Sequence, residues 1–212
     1  MAADDLYILD FDRTLLDVYA VMELTERACD IVGIEFAGIG KDQVDASAEA
    51  RSYSPLETIK MAGGDKLMQF KQGFINLADP DKLVFPDGRR YLETLKKKDK
   101  PHMILTYAVD IEWQKIKLEA SGLIDVPHVI TLDPKKGQII ANWLNQGGKY
   151  DPGLPGINPA GRIVLIDDRL RAFEYFPDDC KGFYLARERN DRADLPDNVK
   201  MISSLDQIID KI

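Results

Sequence analysis

The stretch LYILDFDRTLLD, residues 6–17, runs an apolar segment into two aspartates one residue apart. In an extended strand alternate side chains share a face, so Asp10 and Asp12 would project the same way and their charges would repel. A second apolar run, RIVLID, ends in Asp167 with Asp168 directly behind it, and a third, HMILTY, carries Thr106 near its end. Four carboxylates converging in one crevice are strongly disfavoured unless a cation lies among them, and a small set of oxygen ligands suits Mg²⁺. The expectation is an acid cluster built around a divalent metal.

For these residues to meet, the segments that carry them must lie side by side. Strands are expected at YILDF (7–11), HMILTY (102–107), HVIT (128–131), RIVLID (162–167) and GFYLA (182–186), with VKMI near residue 200 as an edge strand. Helices fall between them. Segments 88–98, 111–122 and 136–146 carry apolar positions three or four apart, and a short helix over SLDQIIDKI closes the chain. Such alternation implies an α/β fold with a parallel sheet covered by helices, in which ligands bind beyond the carboxyl ends of the strands. Asp10, Thr106 and Asp167 all stand near such ends.

One block interrupts the alternation. Between Asp17 and about Val84 the helical signals VYAVMELTERACDIV, KDQVDASAEA, SPLETIKMAG and KLMQFKQGFINLA follow one another without a strand. Asp17 is expected to cap the first of them. Ser54 followed by Pro55 reads as an N-cap with proline at the first helical position, and Gly63–Gly64 as the stop of that helix. The chain then divides into a main domain, residues 1–16 and 84–212, and a small helical insertion, residues 17–83.

With the sheet in view, the motifs resemble those of the haloacid dehalogenase superfamily. LDFDRTL resembles its first motif, an apolar strand running into Asp-x-Asp-x-Thr, and ILT resembles the second, a strand ending in Thr or Ser. LDPKKGQII resembles the third, a lysine opening a helix, and IVLIDD the fourth, a strand ending in paired aspartates. All occur in order between residues 7 and 168. Arg13 stands where the family commonly has a glycine. The resemblance implies a doubly wound, Rossmann-like parallel sheet, with the helical block as an α-helical cap that closes over the crevice and controls which substrate enters.

The resemblance also implies roles. Asp10 would be the nucleophile that becomes an aspartyl phosphate, and Asp12 the acid that protonates the leaving oxygen and later takes a proton from water. Thr106 would donate to a phosphoryl oxygen and Lys136 would neutralise charge on the transferring group. Mg²⁺ would be held by the Asp10 carboxylate, the Asp12 backbone carbonyl and Asp167, with Asp168 as a ligand or a partner behind one. Lys135 and Lys149 lie nearby; Lys136 is preferred because it directly precedes the helix. An acid at position 12 favours phosphate-ester hydrolysis of a small phosphorylated substrate over dehalogenation or phosphonate cleavage. A phosphomutase is the near alternative, and a phospho-accepting signalling module or a non-catalytic phosphate-binding protein are more distant ones.

Composition bounds the rest. A chain of 212 residues with 45% hydrophobic content can bury a substantial core. A net charge of −8 argues against broad binding to nucleic acid or an anionic membrane, and no apolar run approaches the roughly 20 residues of a span. A cytoplasmic protein without an obligatory protein partner is expected. Cys29 and Cys180 lack metal-like spacing and read as idle thiols, and His102 and His128 as structural. Arg51, Lys60 and Lys71 are candidates for an anionic substrate, although charges on short helices usually face solvent.

Overall fold

In the computed structural model, which describes residues 5–35, 54–187 and 194–212, the strand around LYIL lies in the middle of a sheet. Contacts group the chain into two compact units, one of residues 1–15, 85–107 and 126–212, the other of residues 16–84 and 108–125.

The first unit is built on six strands, β1 (Asp5–Leu9), β2 (His102–Tyr107), β3 (His128–Thr131), β4 (Arg162–Asp167), β5 (Lys181–Leu185) and β6 (Val199–Ile202). All pair in parallel, in the order β3-β2-β1-β4-β5-β6. Leu6, Ile8, Leu9, Met103, Ile104, Leu105, Ile163 and Leu165 are all fully buried, the near-continuous apolar run of strands covered on both faces. Leu6, Ile8, Met103, Leu105 and Leu165 share one core with Ile140 and Phe173. On β1 the opposite face carries Tyr7, close enough to Tyr91 of helix α5 (Pro86–Lys97) for the two phenols to influence each other. The fold is therefore a Rossmann-like α/β core, as the alternating pattern implied.

Several boundaries differ from expectation for local reasons. β1 stops at Leu9: Asp10 still gives its N–H to Ile166 O, but Phe11 O then accepts from Leu15 N, closing a turn in which Arg13 has φ 65°. Alternation of faces thus does not relate Asp10 to Asp12. Helix α7 (Lys136–Asn142) ends four residues earlier than expected, since the Asn145 side chain accepts from the N–H groups of Gly147 and Lys149 and folds the chain into a turn. SLDQIIDKI forms two 3₁₀ turns, Leu205–Gln207 and Ile209–Lys211, the first capped by Ser204.

The second unit is helical among its described residues: α1 (Val18–Ile31), α2 (Leu56–Met61), α3 (Gly64–Leu77), α4 (Pro80–Leu83) and α6 (Ile111–Ala120). Asp17 caps α1 by accepting from Tyr19 N at 2.9 Å and Ala20 N at 3.4 Å. Helix α2 begins at Leu56, with Pro55 rather than Ser54 at its N-cap position, yet Ser54 Oγ accepts from Leu56 N, and its hydroxyl also donates to Asp110, the N-cap of α6. Phe70 and Phe74 of α3 meet Trp113 of α6, the Phe74 ring edge-on at 5.0 Å. KDQVDASAEA and Arg51 lie outside the described residues. Among the described residues no helix is long and apolar enough to cross a membrane. Cys29 and Cys180 are buried free thiols, and His102 and His128 each engage a nearby backbone carbonyl.

Candidate active site

Strand order reverses at β1, so the connections on its two sides diverge and leave a crevice at the carboxyl ends of β2, β1 and β4. Leu9 is the register partner of Ile104 and of Ile166, which brings the residues that follow all three strands to one edge. Asp10 follows β1, Asp167 ends β4 with Asp168 behind it, and Thr106 is the penultimate residue of β2 and fully buried. Carboxylate oxygens of Asp10, Asp167 and Asp168 lie within 4.8 Å of one another, and all three residues are buried. Asp12 lies in the turn beyond, half-buried, and the converging carboxylates are the other three.

Lys136 is the first residue of α7 and almost wholly buried. Its ammonium pairs with Asp10 Oδ1 and, at 2.6 Å, with Asp167 Oδ2. Lys135 instead pairs with Glu174 at 2.8 Å on the surface, and Lys149 is exposed. Behind Lys136 the backbone is tightly stacked. A Cβ on Gly137 would stand 2.4 Å from Glu174 O and 2.7 Å from Phe176 N, so only glycine lets the helix start approach the 174–176 segment this closely. Asp167 Oδ1 accepts from Arg169 N at 2.9 Å, and the Arg169 guanidinium lies over the Tyr107 ring, joining the ends of β4 and β2. Lys60 and Lys71 both pair with Glu112 within the helical unit.

Burial dominates the electrostatics of the cluster. Burial pushes Asp10 up to about 8; Lys136 opposes this, and Asp167 and Asp168 add to it. Asp168 is pushed up to about 6, again by burial first and then by Asp167. Burial opposes the charge on Lys136, yet Asp10 and Asp167 hold its pKa above the ordinary lysine value. Arg169, Arg13 and Lys136 oppose the rise at Asp168, and the buried Asp168 Oδ1 has no hydrogen-bond partner.

No family model matches the sequence, and no curated protein matches it either. Solved structures do match. A haloacid dehalogenase-like hydrolase of Burkholderia xenovorans aligns with a TM-score of 0.63 over 98% of this chain and 95% of its own, at 17% identity. The HAD-hydrolase YfnB of Bacillus subtilis, bound to magnesium, gives 0.58 over 98% of each chain at 14% identity. The chain has the haloacid dehalogenase-like fold. A mutant of CbbY from Rhodobacter sphaeroides, in complex with xylulose-(1,5)bisphosphate, shares that fold with a TM-score of 0.56 over 97% and 96% of the two chains, at 11% identity.

The haloacid dehalogenase-like fold raises the question of a metal, and the residues present could hold one. Three converging hard carboxylate oxygens and an unpartnered buried oxygen on Asp168 fit a divalent cation such as Mg²⁺. Nothing in the sequence marks Arg187, which follows the end of β5, except that it closes an apolar strand as Asp10 and Asp167 do. Its guanidinium reaches back to the turn after β1.

Proposed function

We propose that this chain is a Mg²⁺-dependent phosphatase that hydrolyses a small phosphate monoester through a phospho-Asp10 intermediate. The observation that carries this reading is the buried pairing of Lys136 with both Asp10 and Asp167, beside the unpartnered oxygen of Asp168. Magnesium in YfnB and a sugar bisphosphate in CbbY, both similar in fold, support it.

In this reading an Asp10 carboxylate oxygen attacks phosphorus, the ester P–O bond breaks, and Asp12 gives its proton to the departing alkoxide. Water then attacks the phosphorus of the acyl phosphate, Asp12 takes the proton, and Asp10 leaves as carboxylate, which returns both acids to their starting forms. Thr106 donates to a phosphoryl oxygen, and Lys136 balances charge that moves from Asp10 onto the phosphoryl group. Asp10, the Asp12 carbonyl, Asp167 and Asp168 would hold Mg²⁺, which lowers the repulsion between carboxylate nucleophile and phosphate dianion when bound.

The test is release of inorganic phosphate from p-nitrophenyl phosphate with Mg²⁺. Wild-type protein should turn over and Asp10→Asn, which keeps the shape of the side chain but not its nucleophilicity, should not. Equal release by the two proteins, or none from wild type across a broad panel of phosphate esters, overturns the reading.

A further inference from the structure

We propose that Arg187 is a positioning residue for the turn that carries Asp12, a role that rests on the phosphatase reading above. Arg187 lies outside the metal cluster, and its guanidinium is spent in an unusual way. Nη1 and Nη2 form a forked pair with the Asp87 carboxylate at 2.8 and 3.0 Å. Nε then donates to Arg13 O at 3.0 Å, and Nη2 also donates to Thr14 O at 2.8 Å. The plane of the group is set by Phe85, whose ring centroid lies 4.1 Å from Cζ. An arginine needed only as an ion-pair partner would stop at the fork.

The two carbonyls it reaches belong to the residues directly after Asp12. Arg13 is one of three non-glycine residues with positive φ among the described residues, at 65°. A side chain in the left-handed region is disfavoured by about 1 kcal/mol or more and persists only where its surroundings impose it. Here the surroundings are identifiable. Leu15 N donates to Phe11 O at 2.9 Å, Phe85 N donates to Leu15 O at 2.8 Å, and Gly88 packs on Leu15, but the carbonyls of residues 13 and 14 are held by Arg187.

Asp87 anchors the guanidinium in turn. It sits in the first turn of α5 and also accepts from Ser204 Oγ and Leu205 N, each at 2.9 Å, so the clamp is fixed to α5 and to the C-terminal turn at once. Lysine has a point charge and cannot span a carboxylate and two divergent carbonyls. The arrangement therefore fixes the backbone after Asp12, and with it the place from which Asp12 moves protons.

The full chain carrying Arg187→Lys is compared with wild type in three measurements: steady-state hydrolysis of p-nitrophenyl phosphate with Mg²⁺, hydrogen–deuterium exchange of the peptide spanning residues 10–17, and thermal unfolding. Expected are a kcat lower by about tenfold or more with KM changed by less than about twofold, and faster exchange across residues 12–17. Asp87→Asn, which loosens the anchor, should move both readouts the same way by less, and carries the comparison if Arg187→Lys does not fold. Unchanged kcat per folded molecule, or exchange over residues 12–17 identical to wild type, overturns the proposal. A wild-type chain without phosphatase activity defeats the phosphatase reading, whereas active wild type with an unaffected Arg187→Lys defeats only this one.

Discussion

Gly137→Ala probes how the fold places its lysine. The added Cβ would meet the carbonyl oxygen of Glu174 at 2.4 Å, the amide nitrogen of Phe176 at 2.7 Å and the Phe176 Cα at 2.9 Å. All three are backbone atoms, so no side chain can swing aside. Reaching even 3.0 Å from the carbonyl moves the start of α7 by about 0.6 Å, and ordinary contact by about 1 Å. Lys136 is the preceding residue, and its 2.6 Å contact to Asp167 Oδ2 would lengthen by a similar amount. Misplacement on that scale costs about 100-fold in rate, and the overpacking costs about 1–3 kcal/mol of stability, despite the roughly 1 kcal/mol by which alanine outranks glycine in a helix. Gly73 is the internal control: it lies within α3 with nothing within 4 Å of its would-be Cβ, so Gly73→Ala should be neutral or stabilising by up to about 1 kcal/mol. The assay is Mg²⁺-dependent p-nitrophenyl phosphate hydrolysis together with thermal unfolding. A Gly137→Ala protein with wild-type kcat and wild-type stability refutes the argument that this close approach sets the lysine.

Asp168→Asn should weaken Mg²⁺ binding by about tenfold or more, read by calorimetry or by the Mg²⁺ dependence of the melting temperature; unchanged affinity would place the metal elsewhere. Asp87→Asn should cost about 1–3 kcal/mol near neutral pH by leaving the half-buried Arg187 without its counter-charge. Burial opposes the Asp87 charge, but hydrogen bonds from Arg187, Leu205 and Ser204 bring its folded pKa below the ordinary 3.8. Ionised Asp87 therefore contributes fully above about pH 3.8 and progressively less as pH falls through its folded value, so denaturant melts should show the gap between wild type and Asp87→Asn closing only below that pH.

The parts of this molecule that follow periodic rules were readable from its residues. The apolar runs at 102–107, 128–131 and 162–167 match β2, β3 and β4 to the residue; β2 and β4 are buried parallel strands that need continuous Val, Ile and Leu, and the half-buried edge strand β3 keeps the β-branched residues that favour a strand. Lys136 stood out from Lys135 only by its place directly before Gly137, and the fold gives the physical reason: the residue at the start of α7 turns inward. Other parts depend on contacts distant in sequence. Helix α6 buries Trp113, Gln114, Ile116, Lys117, Leu118 and Ala120, so its pattern shows no single apolar face and does not reveal that its aromatic partners, Phe70 and Phe74, lie about 40 residues earlier. Arg187 and Asp87 are separated by 100 residues, and neither belongs to a local motif. β1 ends two residues before the apolar run suggests, and the turn that follows carries no signal in a single sequence because its left-handed residue is an arginine, where a glycine would announce it.

The salt link from one ammonium to two carboxylates at the sheet edge also bears on the order in which this molecule matures. A nascent chain that has closed α7 against β1 and β4 already owns an internal counter-ion, so its acidic pocket can assemble before any mineral cation arrives. Under the magnesium-dependent reading proposed above, loading then becomes an exchange of partners within finished architecture, and a chain deprived of that cation would persist as folded rather than unfolded material.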